Sequence, residues 1–346
     1  MRWLVVHPGP HFSVADVHTG WCEGLRACGE TVIEYNTGDR LNAYGHALIE
    51  DGAGDDGVGR FRRMYTNDQV KELAIEGLSA KIFTARPDVL LVVSGFFLPG
   101  DLLDYIRRRG TAVVIAHTES PYEDARQLEL AAHADVNLLN DPVHLDAYRA
   151  LGMPAFYMPH AYRPEVHHPG ARRPELSTDF AFVGTGYPSR IEFFEAMDLD
   201  GLDVLLAGNW QALGEGSPLR KHVAHDLNSC LDNAKAADIY RSALVNINTY
   251  RREAEHPDLV DGIAIGPREV ELAACGAFFL RESRPEGDHL FPSLPTFASP
   301  GEASDLLRWY LAHEDQRQAA AIASRAAIAD RIFTNHAAAL LRHIVP

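Results

Sequence analysis

The stretch Gly266-Pro-Arg-Glu-Val-Glu-Leu-Ala-Ala-Cys-Gly-Ala-Phe278 reads as a loop, a short helix and the start of a buried strand. Pro267 suits the first helical position, where a missing N–H costs nothing, and Gly276 suits the position just past the helix end. The pattern predicts a helix over 267–275 and a strand over 277–280. The N-terminus of that helix, Gly266 to Glu269, would offer unpaired N–H groups and the positive end of the dipole to an anion such as a diphosphate. Arg268 and Glu271 are three apart and share one face. A cation for phosphate beside a carboxylate for sugar hydroxyls meets the needs of a nucleotide-sugar site. The same residues also make an ordinary surface ion pair beside an ordinary cap, and the stretch alone leaves both readings open.

Working outward, residues 179–184 form a strand that runs into Gly184-Thr185-Gly186-Tyr-Pro-Ser-Arg190, with a helix expected over 191–197. Glycines let backbone N–H groups approach an anion, and Arg190 can pair with it bidentately. The sixth position of this glycine pattern is Ser189, so it is not a full dinucleotide fingerprint. Further strands at 203–207 and 244–249 end in Gly208-Asn209-Trp210 and Asn246-Ile-Asn248-Thr-Tyr250. Asn209, Asn248 and Tyr250 therefore sit where parallel strands end, the ligand edge of an open α/β sheet. Trp210 reads equally as a base-stacking residue and as core. Asp198-Leu-Asp200 precedes Gly201 and reads as a turn rather than a metal motif. Amphipathic helices are expected over 299–313 and, Ala-rich, over 314–343.

The pattern Arg268-x-x-Glu271-x-x-Ala274-Cys275-Gly276-Ala277-Phe278 resembles the R-x-x-E motif of GT-B glycosyltransferases. From about Phe180 onward the chain is similar to their CgeB-like (spore maturation protein, glycosyltransferase family 1) group. The resemblance implies an α/β fold of two doubly wound Rossmann-like domains facing a cleft, with a C-terminal helix crossing back to the N-domain. It implies an acceptor domain over 1–160, a linker over 161–178, a nucleotide-sugar domain over 179–315 and a returning helical segment over 316–346. Taken with the readings above, the donor-binding set is Gly184, Thr185, Gly186, Arg190, Asn209, Trp210, Asn248, Tyr250, Gly266, Pro267, Arg268 and Glu271; the resemblance implies Glu271 on the ribose and the Gly266 loop along the phosphates. Related retaining enzymes carry another Glu eight positions earlier, where this chain has Ile263.

The N-terminal half alternates in the same way. A strand over 3–7 leads into Pro8-Gly-Pro10, a helix over 14–28 and a strand over 31–35. The loop after the first strand puts His11, His18 and Thr19 forward as acceptor-binding residues. The spacing of His7, His11 and His18 matches no standard metal set, and no metal ligands are assigned. The segment 51–59, rich in Gly and Asp, reads as a mobile loop, 67–85 as a helix, and Val89–Val93 as a central parallel strand. A strand over 112–116 ends in His117-Thr-Glu-Ser-Pro-Tyr-Glu123, a turn similar to one in the CgeB-like group. Glu119, with His117 beside it, is the candidate catalytic base for an acceptor hydroxyl. Capping of the following helix by Glu119 and Ser120 is the competing reading.

The 346 residues carry a formal net charge of −16, which argues against a broad basic surface for duplex nucleic acid. No apolar run approaches the ~20 residues of a membrane span. Cys22, Cys28, Cys230 and Cys275 are scattered, as in a reducing cytoplasm. The function expected is transfer of a sugar from a nucleotide-diphosphate donor to an unidentified acceptor (protein, glycan, small molecule or modified nucleic acid), metal-independent and without a cofactor. A nucleotide-sugar epimerase or hydrolase of the same fold, and a non-catalytic nucleotide-sugar-binding protein, are the alternatives. A helical homodimer surface is a competing role for 316–343.

Overall fold

The computed structural model describes residues 1–9, 15–53, 59–223, 225–227, 229–253 and 262–344. The chain divides into two compact units, one of residues 1–140, 144–158 and 337–346, the other of 141–143 and 159–336.

The first unit holds β1 (Arg2–Val6), α1 (Ala15–Ala27), β2 (Thr31–Tyr35), α2 (Thr37–Gly45), β3 (Leu48–Ala53), β4 (Gly59–Arg63), α3 (Asn67–Ala85), β5 (Val89–Val93), α4 (Gly100–Arg108), β6 (Ala112–His117), α5 (Asp124–Ala131), β7 (Val136–Leu139), α6 (Leu145–Ala150) and β8 (Ala155–Tyr157). Six strands form a sheet in the order β2-β1-β5-β6-β7-β8, every pair parallel, with Trp3 opposite Val89 and Val89 opposite Ala112. Val89–Val93 is buried along its whole length, as an apolar run covered by helices on both faces must be. The chain steps outward from β1 to β2, then crosses back to β5, so the strand order reverses between β1 and β5.

The second unit repeats the plan with β9 (Phe180–Val183), α7 (Pro188–Glu195), β10 (Val204–Ala207), α8 (Asn233–Ser242), β11 (Val245–Asn248), α9 (Pro267–Ala274), β12 (Phe279–Glu282), α10 (Pro285–Leu290), β13 (Thr296–Phe297), α11 (Pro300–Leu311) and α12 (Glu314–Ala327). Its five parallel strands run β10-β9-β11-β12-β13, reversing between β9 and β11. The last helix, α13 (Phe333–Ile344), begins in the second unit, and from Ala337 it belongs to the first. There His343 stacks on Phe156 of β8 at 3.9 Å between ring centroids.

Helix α9 shows how the local sequence sets these elements. Gly266 and Pro267 open it. It closes in a Schellman turn: Gly276, at φ +68°, donates to Ala273 O and Ala277 donates to Leu272 O, both at 3.0 Å. Val270, Leu272, Ala273 and Ala274 are buried in the second core, where a fully buried Val or Leu side chain contributes roughly 1.5–3 kcal/mol.

Three expectations change. The segment 51–59 is not a plain loop: 48–53 and 59–63 pair as the antiparallel hairpin β3–β4, and 54–58 lie outside the described residues. The Gly/Asp composition masked the strands on either side. The helix expected over 314–343 is two helices, because Ile328 is fully buried and Ile332 bridges to Tyr162, so the chain leaves the helical path at 328–332. Helices α2 and α10 went unread. Helix α2 is started by Asn36, whose side chain accepts from Asp39 N.

Candidate functional site

In a doubly wound sheet, ligands bind outside the carboxyl ends of the strands where the strand order reverses. In the second unit that point is flanked by the loop after β9, the loop after β11 and the N-terminus of α9.

The loop after β9 is fitted backbone against backbone to the loop after β10. Gly184 N–H donates to Ala207 O and Gly186 N–H to Asn209 O, both at 2.8 Å. Gly208, at φ +109°, would place a Cβ 2.5 Å from Gly184 O. A Cβ on Gly186 would strike the Trp210 ring, and one on Gly184 would strike the Arg268 guanidinium. The glycines are thus required by close approach of protein to protein.

Arg268 reaches back from α9 across both strand ends. Its Nε donates to Val183 O at 2.5 Å and its Nη1 to Asn248 Oδ1 at 2.6 Å, with the guanidinium 4.5 Å above the Phe182 ring. Arg190 is buried, and its amino groups donate to Thr185 O at 2.9 Å and Thr249 O at 2.8 Å. It ties the β9 loop to the β11 loop. Glu271, half-buried one turn beyond Arg268, accepts from the Tyr240 hydroxyl at 3.2 Å. Burial, with Glu271 next, pushes that hydroxyl well above its ordinary pKa. Asn248 and Tyr250 are buried, Thr185 and Asn209 half-buried.

The expected row of unpaired N–H groups at Gly266–Glu269 shrinks to one among the described residues, and the N–H groups of the preceding loop and of Gly266 go to the protein's own carboxylates. Asp141 accepts from Ile263 N at 3.2 Å and Ala264 N at 3.0 Å, Glu286 from Ile265 N at 2.8 Å, and Glu269 from Gly266 N at 2.9 Å. Pro267 has no N–H, and Glu269 N–H returns to Gly266 O. Among the described residues the Arg268 N–H is the group of this turn left over. The N-terminus of α7 is occupied in the same manner: Glu253 accepts from Ser189 N–H at 2.9 Å and Ser189 Oγ at 3.1 Å. Burial pushes the Glu253 carboxyl up, but these bonds outweigh it and hold its pKa below the usual value.

Sequence reasoning passed over Glu269 and Asp141. Glu269 is fully buried, its carboxyl pushed up by burial and drawn back by the Tyr250 hydroxyl, Gly266 N–H, Arg281 and Arg284. Arg284 lies 3.5 Å over the Tyr250 ring and donates to Ala264 O at 2.8 Å. Asp141 is 122 residues from Ile263, so no local pattern could reveal the contact. Glu269, an acidic residue at the third position of a helix opened by a glycine, carried a legible capping signal.

Trp210 is fully buried between Phe182 and Phe194, at 6.0 and 6.1 Å between centroids. It is a core residue and presents no face to a base.

In the first unit the candidates divide. His117 is 2% exposed, its Nε2 2.9 Å from Asn137 Oδ1, and burial pushes its pKa down to about 4. It is held inside the sheet and is not presented to an acceptor as a base. Glu119 is half-buried at the C-terminal end of β6. The residue that caps helix α5 is Glu123, whose side chain makes no cap bond, and the Ser120 hydroxyl is buried without a hydrogen bond. The turn is held by Gln127, which accepts from Glu119 N at 3.0 Å, and by Asn140, which accepts from Ser120 N at 3.1 Å. His18 is 3% exposed and faces Val5 O and Cys22 rather than solvent. Thr19 is half-buried, its hydroxyl on Ala15 O. His11 lies outside the described residues.

Residues 190–342 match the family described as glycosyl transferase-like. The fold is GT-B, and the family match covers less than half of the chain. The chain is 22% identical to the spore protein CgeB of Bacillus subtilis (strain 168) over 250 residues, 70% of this chain and 78% of that protein. Its fold is similar to that of the sucrose-phosphate synthase of Thermosynechococcus elongatus, with a TM-score of 0.69 at 13% identity over 99% of each chain. It is also similar to an alpha-glucosyltransferase solved in complex with UDP, with a TM-score of 0.62 at 11% identity over 100% of this chain and 99% of that one. The matched region begins at Arg190 and takes in Arg268 and Glu271. Among the described residues, no helix is long and apolar enough to cross a membrane.

Proposed function

We propose that this chain transfers a glycosyl group from a nucleotide-diphosphate sugar to an acceptor, with no metal ion at the donor site. The observation that carries the reading is the placement of Arg268 and Glu271 on one face of α9, beside the sheet's reversal point, with Arg268 threaded between Val183 O and Asn248. In this reading Glu271 accepts from the ribose hydroxyls. The Thr185 and Arg268 backbone N–H groups, in the field of the Arg190 and Arg268 guanidiniums, stabilise the leaving diphosphate; preorganised dipoles of this kind often supply the largest catalytic contribution. Asn209, Asn248, Tyr250, Gly266 and Pro267 shape the pocket. Glu119 orients or deprotonates the acceptor hydroxyl, with Thr19 among the acceptor-binding groups. Cys22, Cys28, Cys230 and Cys275 form no disulfide, which accords with a cytoplasmic protein.

The test is a screen of nucleotide sugars by thermal shift, followed by a transfer assay with the donor that binds. A donor at a hundred times its dissociation constant stabilises the protein by about 2.7 kcal/mol. Label appearing on an acceptor supports the proposal. Release of free sugar alone favours a hydrolase, and an altered sugar on the nucleotide favours an epimerase. Binding with no chemistry on any acceptor class favours the non-catalytic alternative, for which the absence of the first glutamate, at the exposed Ile263, is the specific observation.

A further inference from the structure

A second cluster of donor atoms lies in the first unit, apart from the donor-binding machinery. His18 and Cys22 are four apart on α1, so they project from one face of the helix. That face is turned into the protein, leaving His18 3% and Cys22 1% exposed. Glu34, on the adjoining β2, reaches the same point from the solvent side. One ligand atom from each of the three lies within 4.8 Å of the others.

The spacing suits a shared cation better than it suits hydrogen bonds. His18 Nε2 is 3.4 Å from Val5 O and 3.8 Å from Cys22 Sγ, both long for a hydrogen bond. A tetrahedral centre with metal–nitrogen and metal–sulfur bonds of about 2.0–2.3 Å holds those two atoms roughly 3.5 Å apart. His7, at the end of β1, stands edge-on to His18 with ring centroids 5.0 Å apart, adding a second imidazole beside the cluster.

Charge decides the kind of cation. A neutral imidazole, a thiolate and a carboxylate carry two negative charges, so a divalent ion gives a centre of zero net charge. Such a centre can be buried at little electrostatic cost. A thiolate and an imidazole select zinc-like borderline metals over magnesium or calcium. We infer that His18, Cys22 and Glu34 form a binding site for a zinc-type divalent cation that ties α1 to β2. On binding, the Cys22 thiol releases its proton to solvent and forms the metal–sulfur bond. Glu34 exchanges its ion pair with Arg26, now at 2.5 Å and half in solvent, for the metal, and Arg26 returns to water. Water completes the coordination.

The experiment uses the full chain, stripped with a chelator and titrated with Zn²⁺ against a chromophoric competitor, then with Co²⁺. The expected result is one ion per chain, and with Co²⁺ the visible bands of a tetrahedral site together with a sulfur-to-cobalt charge-transfer band. Cys22→Ser should abolish the charge-transfer band. Cys230→Ser, at an exposed cysteine elsewhere, should leave it unchanged. Glu34→Gln alters a partly exposed side chain, so it serves even if Cys22→Ser does not fold; it should weaken Zn²⁺ binding at least about tenfold. No stoichiometric binding by the wild type, a charge-transfer band that survives in folded Cys22→Ser, or unaltered Zn²⁺ affinity in Glu34→Gln would each overturn the assignment.

Discussion

Glu271 offers the sharpest test of the donor site, because two substitutions separate its two roles. Its carboxylate accepts from the Tyr240 hydroxyl at 3.2 Å, and Tyr240 is 3% exposed. Glu271→Ala leaves that hydroxyl without this acceptor, costing roughly 1–3 kcal/mol of folding stability. It also removes the proposed ribose acceptor, and loss of a charged hydrogen bond costs roughly 1.5–3 kcal/mol of binding, a rise in dissociation constant of roughly 10- to 150-fold. Glu271→Gln keeps an oxygen for Tyr240 but removes the charge, so stability should stay close to wild type while affinity falls toward the lower end of that range. Denaturant melts give the first quantity, and calorimetry with a panel of nucleoside diphosphates gives the second. Loss of stability without loss of affinity in Glu271→Ala would show that the residue serves Tyr240 alone and would refute the ribose assignment.

Glu119→Gln should lower transfer by roughly 10²–10⁴-fold while donor affinity holds, since general-base catalysis contributes about that much; a full-rate variant would remove Glu119 from the chemistry without touching the donor reading. Transfer rates should be the same with and without added Mg²⁺ or Mn²⁺, and strict dependence on either would contradict a metal-free donor site. His117 ties stability to pH. Burial holds its folded pKa near 4 against 6.5 for the free side chain, so the unfolded chain binds more protons between those values. Its contribution is therefore complete above about pH 6.5 and is lost as pH falls toward 4, at up to about 1.4 kcal/mol per pH unit. His117→Gln should flatten the fall in unfolding free energy between pH 7 and 5, and parallel slopes for variant and wild type would rule out this residue as the source.

What the sequence determined by itself was whatever depends on neighbours along the chain. The helix at α9, its proline start and its Schellman close are local, and so is the continuous apolar run that makes Val89–Val93 a central strand. Alternation of such runs with helical segments was enough for two α/β units, whereas the Arg268–Glu271 spacing pointed to a glycosyltransferase only through its resemblance to the R-x-x-E motif. Tertiary structure decided what each polar group faces. Gly184 and Gly186 read as glycines that admit an anion, yet the space beside them is filled by Arg268 and Trp210. Arg190 read as a phosphate ligand, yet its amino groups close onto two carbonyls brought together by sheet pairing. The helix N-termini read as open anion sites, yet Glu253 and Glu269 already sit there. Trp210 and His117 are inside because parallel strands and covering helices enclose them. Asp141 meets Ile263 across 122 residues, and His18 and Cys22 meet Glu34 only once α1 packs against β2. Local propensity fixes which element forms. Which side chains share a site is set by the order and register of the strands, and that order is a property of the whole fold.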